Sequence, residues 1–396
     1  MKNIIITGGE LFNKGAQAMT FVAVDALRKR FPDHEIYLLS ELDRRRPEKE
    51  RAQYRFRFTG WYPIKFARAQ HNPALRLACL LRNRAELLEC EALYRNCDLM
   101  VDISGYGLGS NWGEKQLCLY LDHLEFAKAF GIPCYLLPQS FGPFDFHGEE
   151  KTQGDRIPEL LSSVKLICAR EQQGYDDLRR LYHLENVILR PDLVLSSRDV
   201  SLNNVFSAPP AIELTAVGKN SVAIVPNENT VSAVGEEKIL TLYGEIVRAL
   251  VQAGKHVYLL SHSSADKWLC EKIKAQFPND EICYLDRDFS CLEYSELVKR
   301  FDFVICSRYH GIVHAFKNGV PCVSIGWAAK YHELMSYFGQ EGYAFDVEAG
   351  LSSPEIIESI LLLNDRREQE SGKIRELLTT VQNENVFDLL EIKKTR

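Results

Sequence analysis

No stretch of this sequence approaches the roughly 18 consecutive apolar residues of a membrane-spanning helix, so a transmembrane protein is not expected. No C-x-x-C pair occurs among the 11 cysteines, which removes the usual zinc and dithiol signatures. The opening residues Met1-Lys2-Asn3-Ile4-Ile5-Ile6-Thr7 enter a strand-like run directly and carry no cleavable signal pattern, so a cytoplasmic protein is expected. Charge of one sign is not in large excess. With 48 Lys+Arg against 54 Asp+Glu, the net charge of −6 gives no reason to expect a nucleic-acid partner.

What is present is ordinary globular material in quantity. At 396 residues, 46% hydrophobic and 26% charged, the chain is long enough for two domains and too apolar to be disordered. Cys134, Cys168, Cys306 and Cys322 lie inside apolar stretches, which fits buried, reduced thiols. Short apolar runs at 3–7, 35–39, 98–103, 133–137, 164–168, 222–226, 256–260, 303–306 and 321–325 alternate with helical patterns such as 16–30, 115–130, 236–253 and 309–318. That rhythm predicts an α/β fold with two doubly wound, Rossmann-like domains facing across a cleft. The domains are expected at 1–195 and 221–370. A linker at 196–220 is marked by Asn203-Asn204 and Pro209-Pro210. The final helical stretch, 353–383, and residues 371–396 are expected to cross back toward the first domain. Ligands of such sheets bind beyond the carboxyl ends of the strands.

One segment differs from the rest. Between Asp43 and Arg84 there are twelve Lys/Arg against Asp43, Glu48 and Glu50, interleaved with Tyr54, Phe56, Phe58, Trp61, Tyr62 and Phe66. Such a pattern suits an anionic membrane surface or a pyrophosphate-bearing substrate, with Arg44, Arg45, Arg55, Arg57 and Trp61 as contact candidates. It equally suits a solvated, Arg-rich insertion with a few core aromatics.

The chemistry is expected around Ser307-Arg308-Tyr309-His310. A strand ends at Cys306 and a helix begins near Tyr309, so Ser307 and Arg308 occupy the corner and His310 the first helical turn. Free N–H groups at a helix start attract anions, and an arginine adds a two-pronged fork for carboxylate or phosphate. The bland alternative is an N-capping Ser307 beside a surface arginine and a structural histidine. Lys330 follows the next strand and is expected at the same sheet edge, and Arg170 ends a strand of the first domain. Glycine-bearing turns at Thr7–Ala18, Ser104–Gly109 and Pro138–Pro143 predict a rim of close backbone approach. The first turn is neither G-x-G-x-x-G nor a phosphate-binding Walker loop. His310 and His314 are four residues apart, but Gly311 stands between them where a zinc protease has glutamate, so His314 reads as a core histidine.

These motifs resemble those of the polysaccharide pyruvyl transferase family. The likeness rests on Asn13-Lys14-Gly15-Ala16-Gln17-Ala18, Gln139-Ser140-Phe141-Gly142-Pro143, Ala169-Arg170-Glu171 and Ser307–His310 with Lys330. The resemblance implies a GT-B-like fold and transfer of pyruvyl from phosphoenolpyruvate to two hydroxyls of a sugar, giving a cyclic ketal. It implies His310, Arg308 and Lys330 as catalytic residues, and Arg170, Tyr309, Ser307, Asn13, Gly15 and Gln139 as substrate-binding residues. No metal or redox cofactor is implied, since phosphoenolpyruvate is a co-substrate. The acceptor is expected to be a bacterial cell-surface glycan, such as an exopolysaccharide precursor on a polyisoprenyl pyrophosphate at the inner membrane face. Ala16 departs from the acidic residue often found there. Two rivals are a nucleotide-sugar glycosyltransferase using Asp346 or Glu333, and a non-catalytic partner protein of a polysaccharide assembly.

Overall fold

The computed structural model describes residues 2–60, 74, 77, 81, 84–148, 150–279, 281–350 and 352–393. The first sheet contains β1 (Asn3–Thr7), β2 (Glu35–Leu39), β3 (Arg57–Thr59), β4 (Cys97–Asp102), β5 (Tyr106–Leu108), β6 (Cys134–Phe141), β7 (Leu166–Ala169) and β8 (Val187–Leu189). Its order is β3-β2-β1-β4-β6-β7-β8, with β5 paired to β6 off that path. The second sheet contains β9 (Ser221–Val225), β10 (His256–Leu260), β11 (Ile282–Leu285), β12 (Phe303–Cys306), β13 (Cys322–Gly326) and β14 (Ala344–Asp346), in the order β11-β10-β9-β12-β13-β14. All of these pairings are parallel.

The central strands are the continuous apolar runs of the sequence, because helices cover both faces. Every residue of β1, β4, β9, β12 and β13 is buried. The strands that the apolar pattern does not announce are β3, β8, β11 and β14 at the sheet edges, and β5. Each is three or four residues long. An edge strand is covered less completely, so its sequence carries less apolar signal.

In both sheets the direction of strand progression reverses beside the first strand, between β1 and β4 and between β9 and β12. Those two reversals open crevices at the carboxyl ends, where ligands bind in doubly wound sheets. The residues after β1 and β4 therefore face those after β9 and β12 across one cleft of about 940 Å³.

The stretch 196–220 is not a bare tether. It holds a short helix, Leu202–Val205, and packs on the first domain, where Arg55 N–H donates to the Val205 carbonyl at 2.8 Å. One helix of 29 residues runs Ser353–Val381 and touches the short helix Leu193–Ser196 of the first domain, and the tail behind it also returns there. Lys393 N donates to the Asp98 carbonyl at 2.8 Å and Glu391 N to the Tyr135 hydroxyl at 3.0 Å. Among the described residues, no helix is long and apolar enough to cross a membrane.

Candidate active site

The cleft wall from the second domain starts at Arg308. This residue has extended backbone (φ −111°, ψ 124°) between the end of β12 and the helix Tyr309–Lys317. Its Nε donates to Asp266 Oδ2 at 2.9 Å, and Nη2 closes a second bond to Asp266 Oδ1. Asp266 is fully buried and also accepts from the backbone of Ser263 and Glu228, at 3.0 and 3.1 Å. The fork is thus held in one orientation before any ligand arrives, with Nη1 carrying no hydrogen bond to a described residue.

Arg170, from the end of β7, meets the second domain directly. Its guanidinium lies 4.0 Å over the Tyr309 ring. All three of its nitrogens are taken: Nε by Glu171 at 2.8 Å, Nη1 by Asp192 at 3.0 Å and Nη2 by Ser140 Oγ at 2.7 Å. With 3% of its side chain exposed, Arg170 organises the wall from behind Tyr309 rather than offering an open fork.

His310 points from the same helix toward the first domain, with 16% of its side chain exposed to the cleft. Its Nε2 is 3.7 Å from Asp192 Oδ2 and has no hydrogen-bond partner. Burial is the main force on its titration and pushes the pKa down to about 4; Asp192 opposes this, while Arg170 and Lys330 add to it. The imidazole is neutral near pH 7.

Lys330 sits in the first turn of the helix Ala329–Tyr337, beyond β13. Its ammonium lies between 5.1 and 5.9 Å from the ring centres of Tyr106, Trp327, Tyr331 and Tyr309. Among the described residues, no ion pair involves it. Burial, with Arg170 and Arg308, lowers its pKa to about 8 against the opposing pull of Glu171. Of the three cations lining the cleft, Lys330 is the one without a carboxylate, so it is the open site for an incoming anion.

The remaining sequence candidates divide. Gly15 belongs to the site for steric reasons: a Cβ there would fall 2.3 Å from His310 Cγ. Asn13 lines the cleft but uses its side-chain oxygen to cap the helix Lys14–Arg30, accepting from Gly15 N at 2.8 Å. Tyr309 forms the wall between Arg170 and Lys330. The Ser307 side chain does not line the cleft and does not cap the helix. It is fully buried, with its hydroxyl on Tyr243 at 2.8 Å and its carbonyl on Asn227 at 2.8 Å. Gln139 is likewise inside the first domain, its amide shared between Asp102 (3.0 Å) and Tyr120 (2.9 Å). Gln139 lies inside β6, two residues before its end, and Ser307 is the first residue after β12. Of the rival sites, Glu333 accepts from Gln172 N–H at 2.6 Å across the domains, and Asp346 accepts from Glu348 N–H at 2.9 Å.

The basic segment also reads differently where it is described. Tyr54, Phe56 and Phe58 pack on one another, and Tyr54 also packs on Phe21 and Phe206 of the core. Arg45 and Arg57 pair with Glu41 and Glu35 at 2.7 Å each, and Arg44 lies 3.7 Å from Glu41. Arg55 sits near enough to Arg28 to help lower that residue's pKa, after burial. So the aromatics up to Phe58 face the core, and three of these arginines have local carboxylates. Trp61 lies outside the described residues.

Three residues of the site were not singled out by sequence. Asp266 sits at the third position of a Ser263-x-x-Asp266 capping box, a pattern legible in the sequence but giving no hint of Arg308. Lys14 buries its ammonium on the His262 carbonyl at 3.0 Å and so ties the domains together. Glu10 lines the cleft with its pKa raised by burial and by Asp43.

Known structures share this architecture. The chain is similar to UDP-GlcNAc 2-epimerase from Neisseria meningitidis bound to UDP-GlcNAc, with TM-score 0.60, 12% identity and 98% of each chain covered. It is similar to UDP-GlcNAc 2-epimerase from Methanocaldococcus jannaschii, with TM-score 0.57, 13% identity, and 96% of this chain and 100% of that one covered. A Thermobaculum terrenum O-GlcNAc transferase mutant gives TM-score 0.51 at 16% identity over 97% of this chain, which spans 64% of that protein's length. At these identities the likeness concerns the fold, which is GT-B-like. Among curated proteins, none matches the chain. The family model for polysaccharide pyruvyl transferase matches residues 13–328, from the helix that carries Gly15 to the strand end before Lys330, and the chain belongs to that family of transferases.

Proposed function

We propose that the cleft transfers pyruvyl from phosphoenolpyruvate to two hydroxyls of a sugar, forming a cyclic ketal. The observation that carries this is the grouping of Lys330, a cation without a carboxylate, with the pre-oriented Arg308 and the neutral His310 on one wall. Phosphoenolpyruvate carries a carboxylate and a phosphate, with a charge of roughly −2.5 to −3 near neutral pH. Lys330 supplies a point charge, Arg308 an oriented edge, and the helix start at Tyr309 its free N–H groups.

In the reaction, the methylene carbon gains a proton and the adjacent carbon becomes electrophilic. One sugar hydroxyl adds there and loses its proton. The C–O bond to phosphate then breaks, and the second hydroxyl closes the ring with loss of its own proton. His310 is the proton-carrying group. It is neutral in the empty cleft, and the arriving anion offsets the burial that keeps it so. Donor binding therefore raises its pKa and charges it for the first step. NMR titration of His310 with and without phosphoenolpyruvate reads this directly, and an unchanged pKa rules the switch out.

The acceptor in this reading is a surface-polysaccharide precursor on a polyisoprenyl pyrophosphate at the cytoplasmic membrane face. Supporting this, residues 61–84 include Lys65, Arg68, Arg76, Arg82 and Arg84 and no acidic residue. Leu77 and Leu81, one helical turn apart, are 59% and 78% exposed. Basic side chains beside exposed leucines suit an anionic bilayer surface. Incubation with phosphoenolpyruvate and a panel of lipid-linked glycans tests the function. The expected result is phosphate release with a mass gain of one pyruvic acid less one water; release of a nucleotide from nucleotide sugars instead would overturn it.

A further inference from the structure

We propose that Trp112 is the stacking platform of the acceptor subsite, and that a pyranose ring lies on its indole face with the reacting hydroxyls toward Lys330. This rests on the pyruvyl-transfer reading and adds where the sugar sits. Trp112 lines the same cleft as Lys330 and His310 yet is 43% exposed. A large apolar face left open inside a polar cleft is costly unless a ligand covers it.

The platform is rigid. Trp112 ends a short 3-10 turn, Ser110–Trp112, whose start is pinned by Ser110 N and Oγ on the Pro143 carbonyl at 2.8 and 3.1 Å. Its ring meets Tyr106 edge-on, with centres 5.2 Å apart and planes at 62°. Tyr106 is fixed in turn by its hydroxyl on the Gly142 carbonyl at 2.7 Å and by Asn111 Nδ2 at 3.2 Å. Fixed rings bind at low entropic cost.

The direction of the site follows from Tyr106. One side of that ring faces the Lys330 ammonium at 5.1 Å, and Trp112 packs against it elsewhere. A molecule reacting at Lys330 therefore extends past Tyr106 onto Trp112. Polar groups suited to hydroxyls line the same cleft: Asn111 and Gln116 from the first domain, Asn229 and Ser232 from the second. An apolar ring face bordered by neutral amides and hydroxyls matches the two faces of a pyranose, whose axial C–H groups stack and whose hydroxyls bond sideways. A nucleotide base would also stack, but among the described residues Asn111 and Gln116 of the same cleft are neutral groups suited to hydroxyls.

The test uses the full chain with Trp112→Ala and Trp112→Phe. The probes are a panel of methyl pyranosides of glucose, galactose, mannose, N-acetylglucosamine and N-acetylmannosamine, read by saturation-transfer NMR. Phosphoenolpyruvate thermal shift runs in parallel. The expected result is binding of at least one pyranoside by the parent chain. That binding should weaken roughly tenfold in Trp112→Ala and be largely kept in Trp112→Phe. The phosphoenolpyruvate shift should be equal in all three proteins. Equal pyranoside binding by Trp112→Ala, or no pyranoside binding by the parent chain while the donor shift persists, overturns the subsite. Loss of the donor shift in Trp112→Ala alone assigns the residue to the donor side and also overturns it. A parent chain with no donor shift at all defeats the pyruvyl reading itself, and pyranoside binding then decides the subsite independently.

Discussion

Gly15 on the first domain and His310 on the second touch so closely that a Cβ at position 15 would lie 2.3 Å from His310 Cγ and 2.4 Å from Nδ1. The glycine is in a regular helix, so its role is the close approach and not unusual backbone geometry. The contact fixes which way the imidazole faces across the cleft. Gly15→Ala must therefore displace either the ring or the domain.

For that substitution we expect the rate of phosphate release from donor and acceptor to fall by tenfold or more. The thermal cost of such overpacking is about 1–3 kcal/mol, so the fold survives. Rate and melting temperature measured on the same preparation separate the two effects. Full activity in a folded Gly15→Ala protein would show that His310 need not be held there.

Lys330 gives a pH prediction. Its pKa is lowered to about 8, so the cation is present below that pH and lost as pH rises through it. Donor affinity, and with it kcat/KM, should fall on the alkaline side with a midpoint near 8. Bound donor stabilises the cation, so the limb in kcat should lie higher. Lys330→Arg, which stays charged, should remove the limb from kcat/KM even if the rate is reduced.

Four histidines shielded from solvent make stability acid-sensitive. Burial lowers His123 and His310 to about 4 and His314 to about 3, and pushes His262 well below its ordinary value. Their rings stay neutral in the fold while the unfolded chain binds protons below about 6.5, so stability falls as pH drops from there toward 4. Each contributes about 1.4 kcal/mol per pH unit within that window. His314→Leu should flatten the dependence of melting temperature on pH between 6.5 and 4; an unchanged slope would mean His314 already has a proton partner when folded.

Asp266 joins Arg308 to two backbone N–H groups of the second domain, those of Ser263 and Glu228. Asp266→Ala leaves a partly buried guanidinium without its carboxylate, and a loss of about 3–5 kcal/mol is expected on chemical denaturation. Asp266→Asn should cost less in stability but weaken donor binding, because one oxygen can no longer hold both prongs of the fork. Calorimetric titration with phosphoenolpyruvate checks it.

The exposed leucines give the last prediction. Leu77→Asp with Leu81→Asp should reduce flotation with anionic liposomes and leave the phosphoenolpyruvate thermal shift intact. Flotation equal to the parent chain would argue against a bilayer as the partner of this face.

The sequence by itself determined the class of the protein and one wall of its site. Continuous apolar runs such as Phe303–Cys306 specify buried parallel strands because no other element hides both faces of so short a run. The corner after such a strand is where backbone N–H groups are free, which is why Arg308, His310 and Lys330 were legible as a group. What only the tertiary structure decided is which charges remain available. Asp266 is 42 residues from Arg308 in the chain and Asp192 is 22 from Arg170. No spacing rule announces either pair. The same holds for Ser307 and Gln139, whose motifs were visible but whose side chains turn inward, Ser307 onto Tyr243 and Gln139 onto Asp102 and Tyr120. Gly15 and His310 are far apart in sequence and meet only when the two domains close on one another. That packing, set by shape and burial across the cleft, turns a strand-end motif into a site with one open cation and one neutral, proton-accepting imidazole.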